Sequence, residues 1–217
     1  MTVEASRERQ RQDLVRLLEA DRAILTPEVR RAFLEVPREL FVTPECRTQA
    51  YANCALPIGL GQTISQPTMV ALMTELLRPA PGQAILEIGT GSGYQAAVLS
   101  RLGGTVHTVE RIEALSRQAQ SLFDRLGYAN IETHIGDGTL GYPAAAPYDG
   151  IVVTAGAPAV PETLKSQLRD GGRLVIPVGD RHYQVLQRIV REGDRFRAET
   201  HCGCVFVKLI GREGWPE

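Results

Sequence analysis

No apolar run in this sequence approaches the roughly 18 residues of a membrane span. The N-terminus carries Glu4, Glu8 and Asp13 and no apolar stretch, so no signal peptide is expected. Neither sign of charge is in excess: 24 basic residues against 25 acidic leave a net charge of −1. That balance gives no electrostatic reason to expect nucleic acid or an anionic membrane as partner. Lysine is almost missing, with only Lys165 and Lys208 among the basic residues. The four cysteines, Cys46, Cys54, Cys202 and Cys204, include no C-x-x-C pair, which removes the zinc-ribbon spacing. Cys202-Gly203-Cys204 beside His201 fits a metal or redox pair, or small buried residues in a C-terminal strand. The second reading is expected, in a cytoplasmic protein.

What is present reads as one domain over 217 residues, with an N-terminal helical cap over 1–50 and the core over 51–217. Leu14, Leu17 and Leu18 share one helical face. Thr26-Pro27-Glu28 is an N-cap followed by proline at the first helical position, with Val29, Phe33 and Val36 behind it. Pro37 and Pro44 break the chain into extended segments around Phe41-Val42, and 50–65 reads as loop. Pro67 opens an amphipathic helix carrying Met69, Val70, Met73, Leu76 and Leu77.

Beyond the turn at 79–82 the pattern becomes strand, turn, helix, repeated. Strands are expected at 84–88, 105–109, 131–135, 150–153 and 173–178, with a helix running from Pro161 to Gly171-Gly172. Tyr183–Val190 and Arg195–Ile210 then read as strands around a Gly193-Asp194 turn. This alternation predicts an α/β fold: a doubly wound, mostly parallel sheet with N-terminal helices and an antiparallel C-terminal edge.

Gly89-Thr90-Gly91-Ser92-Gly93 follows the first of these strands and opens a helix, letting backbone approach a ligand closely. A dinucleotide fingerprint needs glycine where Tyr94 stands, which disfavours a nicotinamide oxidoreductase; the pattern E-x-G-x-G-x-G is similar to that of class I S-adenosylmethionine methyltransferases. Glu110 ends the next strand, where a carboxylate accepts from ribose hydroxyls or simply serves as a first-turn helix acid. Gly136-Asp137-Gly138 follows the third, where it receives an adenine or makes a plain Asp-Gly turn. Together they predict a crevice for an adenosyl cofactor. Ser65, just ahead of Pro67, is either a helix-start residue or a catalytic hydroxyl. His107, His134, His182 and His201 lie in or beside strands and are expected to be structural.

The segments Gly61–Pro67, Leu86–Gln95, Thr108–Arg111, Gly136–Gly138, Ala146–Asp149, Gly171–Gly179 and Val36–Val42 resemble bacterial protein-L-isoaspartate O-methyltransferases, over about residues 27–210. The resemblance implies methyl transfer from S-adenosylmethionine, leaving S-adenosylhomocysteine, to the free α-carboxyl of L-isoaspartyl residues in damaged proteins. The ester then closes to a succinimide. It further implies a Rossmann-like methyltransferase core and a monomer acting on isoaspartyl proteins and peptides.

The family's roles fall here on Ser65 as the catalytic serine and on Gln62, Thr63, Ile64 and Ser65 as a loop over the cofactor, with Val70 behind it. Gly89, Gly91 and Ser92 fall at the methionine end, Glu110 and Arg111 at the ribose, and Asp137 and Gly138 at the adenine. No metal is implied. Lys208 stands where the family commonly has proline, and is expected to favour acidic peptide contexts. A methyltransferase of another acceptor and a non-catalytic adenosyl-binding module are the other readings of the same residues.

Overall fold

The computed structural model describes residues 3–217. Helices α1 (Val3–Ala20) and α2 (Pro27–Glu35) form as the N-terminal pattern predicts, and Thr26 caps α2 by accepting from the Val29 amide at 3.4 Å. On α1 the buried stripe is Leu14, Val15 and Leu18, while Leu17 is 45% exposed, so the expected face is rotated by about one position. Around Phe41 the chain takes two short 3₁₀ segments, Arg38–Leu40 and Pro44–Gln49, instead of running extended.

The expected loop over 50–65 contains a hairpin, β1 (Leu56–Gly59) and β2 (Gln62–Ile64). Its two-residue turn places both Leu60 (φ 52°) and Gly61 (φ 72°) in the left-handed region, as a twisted hairpin needs. Leucine at such a position gives no turn signal, and neither strand is long enough to alternate. Helix α3 (Pro67–Leu77) follows. Its Glu75 accepts from the Leu25 and Thr26 amides at 2.7 and 2.8 Å, tying α3 to the start of α2.

The main sheet contains β3 (Ala84–Ile88), β4 (Thr105–Glu110), β5 (Ile131–Ile135), β6 (Tyr148–Val153), β7 (Leu168–Gly179), β8 (Gln184–Glu192) and β9 (Arg195–Cys204) in the order β5-β4-β3-β6-β7-β8-β9. The first five strands are mutually parallel, and β8 and β9 add the antiparallel edge. The chain leaves β3 toward β4 and β5, then returns to the other side of β3 with β6. That reversal opens a crevice at the carboxyl ends of β3, β4 and β6.

Alternation along the strands feeds two cores. Ile85, Val106, Val152 and Val175 face a large cluster with α1, α2, α3, α4 (Tyr94–Ser100) and α5 (Glu113–Leu126). Leu86, Ile88, Ile151, Val153 and Leu174 face a second cluster, covered by the short helix α6 (Glu162–Ser166) and by Leu209 from the C-terminal segment. Helix α6 stops well before Gly171-Gly172. Gln167 instead spans to the preceding loop, accepting from the Tyr142 amide and donating to the Leu140 carbonyl, and Leu168 already pairs with Tyr148.

The last strand ends at Cys204, short of the expected Ile210. Beyond it the chain makes single bridges, Lys208 with Gly156 and Ile210 with Trp215. Cys204 is buried and donates to the Gln184 carbonyl, and burial raises its thiol to about 11, with Cys202 adding to the shift. Among the described residues no helix is long and apolar enough to cross a membrane.

Candidate active site

The crevice at the strand ends is a cleft of about 770 Å³, mouth included. Its floor is the glycine turn between β3 and α4. Gly89 has φ +95°, and a Cβ there would come within 2.5 Å of Thr154 Oγ1, so only glycine fits. Thr154 in turn donates to the carbonyls of Ile88 (3.1 Å) and Gly89 (2.7 Å), locking β6 to the turn. Gly93 lets α4 start against α5, since a Cβ there would strike the Phe123 ring at 2.6 Å.

Glu110 is 7% exposed. Its Oε2 accepts from the Gly91 amide at 3.0 Å and its Oε1 from the Ile112 amide at 2.9 Å. Each oxygen retains a lone pair, so the carboxylate is held in place with two acceptor sites left for a diol. The Arg111 side chain lies at the rim, paired with Glu217 at 3.1 Å.

Glu87 also lines the cleft and is fully buried, its Oε2 accepting from Thr108 Oγ1 at 2.5 Å and its Oε1 without a partner. Burial, opposed by the Thr108 hydrogen bond and reinforced by Glu110, pushes its carboxyl up to about 8. Sequence reasoning gave Glu87 no role, although it is the acid of the E-x-G-x-G-x-G pattern itself.

The hairpin supplies one wall through Gln62, Thr63, Ile64 and Ser65, with Val70 of α3 beside them. Ser65 does not cap α3. The cap position is Gln66, and the Thr68 amide donates instead to Asn53 Oδ1 at 3.1 Å. The Ser65 carbonyl is held from the protein interior by Arg38, whose Nη2 donates to it at 2.8 Å. Arg38 is fully buried; its Nε donates to the Ala50 carbonyl at 2.9 Å, and its guanidinium lies 4.8 Å from the Tyr94 ring centre. It too was missed, although an arginine within the apolar segment 36–42 was the available signal.

The opposite wall is the C-terminal segment Val207, Lys208, Leu209 and Ile210, together with Thr154 and Ala155 after β6. Gly138 lines the cleft, whereas Asp137 lies just outside it. The Asp137 carboxylate accepts from the Thr139 amide at 2.9 Å and the Arg212 amide at 2.8 Å. Burial raises its pKa but is outweighed by those donors, and the net shift is downward. The structure therefore gathers Gln62, Thr63, Ile64, Ser65, Val70, Gly89, Gly91, Ser92, Glu110, Arg111 and Gly138 around one cleft, with Asp137 clamping the segment that forms its far wall.

A mostly parallel open sheet with a glycine turn and a carboxylate at its switch point is a Rossmann-like nucleotide-binding fold, and its match to a solved protein-L-isoaspartate O-methyltransferase makes it a Rossmann-like methyltransferase. The chain belongs to the protein-L-isoaspartate(D-aspartate) O-methyltransferase family, whose model matches residues 9–214. Among its relatives, the protein-L-isoaspartate O-methyltransferase of Methanoregula boonei is 51% identical over 215 residues, covering 99% of each chain. Protein-L-isoaspartate O-methyltransferase 2 of Pelobacter propionicus is 56% identical over 196 residues, covering 89% of this chain and 87% of its own. A solved protein-L-isoaspartate O-methyltransferase superposes with a TM-score of 0.85 at 33% identity, covering 94% of this chain and 67% of that one. A Plasmodium falciparum protein solved in complex with S-adenosyl-L-homocysteine shares the fold, with a TM-score of 0.79 at 24% identity over 91% of this chain and 97% of its own.

Proposed function

We propose that this protein transfers a methyl group from S-adenosylmethionine to the free α-carboxyl of L-isoaspartyl residues in damaged proteins and peptides, initiating their repair through a succinimide. It does so as a single-domain monomer in the cytoplasm, with neither nucleic acid nor membrane as partner. The observation that carries the reading is hairpin strand β2 with Ser65 just beyond it, facing the glycine turn across one cleft, within a chain that matches the family almost end to end.

The cleft suits the cofactor. Glu110 offers two free lone pairs to ribose hydroxyls, Glu87 places an unpartnered carboxyl oxygen on the floor for an ammonium group, and Gly138, kept bare of a Cβ by its packing on Ile88, lines the cleft where the adenine would lie. Gly89, Gly91 and Ser92 pass close to the methionine end, and Gln62, Thr63, Ile64 and Val70 cover it. Arg111 flanks the ribose from the rim. Asp137, held by Thr139 and Arg212, keeps a lone pair on Oδ2 for the exocyclic amine of adenine. When bound, S-adenosylmethionine supplies an electrophilic methyl on a sulfonium centre.

The chain's own work is alignment and exclusion of water. An α-carboxylate is ionised at neutral pH, so no general base is needed. Bringing an anion to a cation diminishes charge toward the transition state, and a water-filled site would oppose that. Ser65 donates its hydroxyl to one carboxylate oxygen and leaves the other to face the methyl. Lys208, exposed at the mouth, favours acidic residues flanking the acceptor.

Methylation of one peptide in isoaspartyl and aspartyl forms tests the reading. The isoaspartyl form, whose backbone is displaced by one methylene, is expected to be strongly preferred. Equal methylation of both would point to a different acceptor, and cofactor binding without any turnover would point to a binding module.

A further inference from the structure

Outside the cleft, β4 and β5 carry a second group of chemically capable side chains. His107 and Glu132 are register partners on these parallel strands, and His134 lies two residues further along β5, so all three side chains stand on one face of the sheet. His107 Nδ1 lies 3.2 Å from His134 Nε2 and 3.4 Å from a Glu132 carboxylate oxygen, and the three ligand atoms lie within 4.8 Å of one another. Tyr142 stacks on the His134 ring with centroids 3.6 Å apart, fixing its plane. None of these residues lines the cleft.

The spacing matches metal ligation. Nitrogen and oxygen ligands at about 2.0–2.1 Å from a tetrahedral zinc ion stand roughly 3.3 Å from each other. Two of the three separations already have that value, and the third closes by rotation of the Glu132 side chain, which is 58% exposed. The strand register supplies this arrangement without any loop rearrangement, and the buried His107 provides an anchored first ligand.

We propose that His107 Nδ1, His134 Nε2 and Glu132 form a binding site for one divalent transition metal of the zinc class, with a fourth position open to solvent. Two imidazoles and a carboxylate are a donor set suited to zinc, copper or nickel rather than to magnesium or calcium. Burial lowers the pKa of both imidazoles, with His107 adding to the shift at His134 and the Glu132 charge opposing it at both. In the metal-bound form each ring carries its proton on its other nitrogen, His107 Nε2 and His134 Nδ1, and no proton need be released.

The test is calorimetric titration of chelator-treated, full-length protein with zinc chloride, alongside Glu132→Gln, His134→Gln and a Cys202→Ser/Cys204→Ser control. The wild type and the cysteine control are expected to bind a single equivalent and to melt at higher temperature as zinc is added. The two ligand variants should lose affinity by about tenfold or more while keeping normal methyl transfer. Cobalt added to the wild type should broaden the His107 and His134 ring resonances first, a readout that does not depend on a variant folding. Absence of stoichiometric binding, or zinc affinity unchanged in both ligand variants, overturns the site and leaves the two histidines as a hydrogen-bonded pair.

Discussion

The Arg38 guanidinium donates to the carbonyl oxygen of Ser65 at 2.8 Å, so the residue expected to meet the acceptor is positioned from the protein interior. The same side chain holds Ala50 and Cys54 through their carbonyls, at 2.9 and 3.4 Å. Lysine keeps the charge but not the planar fork of donors. Arg38→Lys is expected to leave buried carbonyls unsatisfied and to cost about 2–3 kcal/mol of stability. Urea unfolding measures that loss, and a fall in kcat at a temperature where the variant is fully folded reports displacement of Ser65.

Ser65→Ala should lower kcat and kcat/KM together by about ten- to a thousandfold, the effect of losing one hydrogen bond that orients a charged group. Its melting temperature should hardly change, because Asn53 already accepts from the first-turn amide of α3. Steady-state kinetics and thermal unfolding on the same sample check both halves. Lost stability with intact turnover would return Ser65 to a structural role.

Glu110→Ala removes the proposed ribose acceptor together with two hydrogen bonds, one from the Gly91 amide of the glycine turn and one from the Ile112 amide ahead of α5. Cofactor affinity is expected to weaken by roughly 1.5–3 kcal/mol for each hydrogen bond lost to the charged group. Calorimetric titration of the folded variant with S-adenosylhomocysteine measures it. An unchanged affinity would remove Glu110 from the binding set.

Glu87 sets a pH dependence. Its folded pKa of about 8 lies above the usual 4.5, so between those values the native protein holds a proton that the unfolded chain has released. Its contribution to stability is therefore complete below pH 4.5 and is lost as pH rises through 8. Glu87→Gln, which cannot ionise, should flatten the decline in melting temperature across that window. Melting curves of both proteins at intervals between pH 5 and 9 show whether the slope belongs to this group.

The sequence was most readable where one local rule governs one element. Thr26-Pro27 started a helix because capping is a matter of adjacent residues, and β3 to β6 declared themselves by apolar runs between glycine turns. The Gln62–Ser65 segment was legible as a motif but not as a strand, since its turn relies on Leu60 adopting a left-handed conformation that leucine does not advertise. Helix α6 was overextended because Leu168 continues an apolar pattern whose backbone belongs to the sheet. In the site, Glu110 was found by its distance from the glycine turn. The roles of Arg38 and Glu87 depend on burial against distant segments, which no spacing encodes. Asp137 showed a third limit: its carboxylate receives Arg212, 75 residues further along the chain.

That last bond has a consequence for the integrity of the cleft. One wall of the cleft comes from residues 62–65 and the other from residues 207–210, held by Asp137, by Thr139 accepting from the Glu213 amide, and by Trp215 donating to the Gly156 carbonyl. The sheet is complete by Cys204, whereas the cleft needs residues 207–210 to be docked as well. The second wall of the cleft is thus only as firm as the contacts that tie residues 212–215 to Asp137, Thr139 and Gly156, far back along the chain.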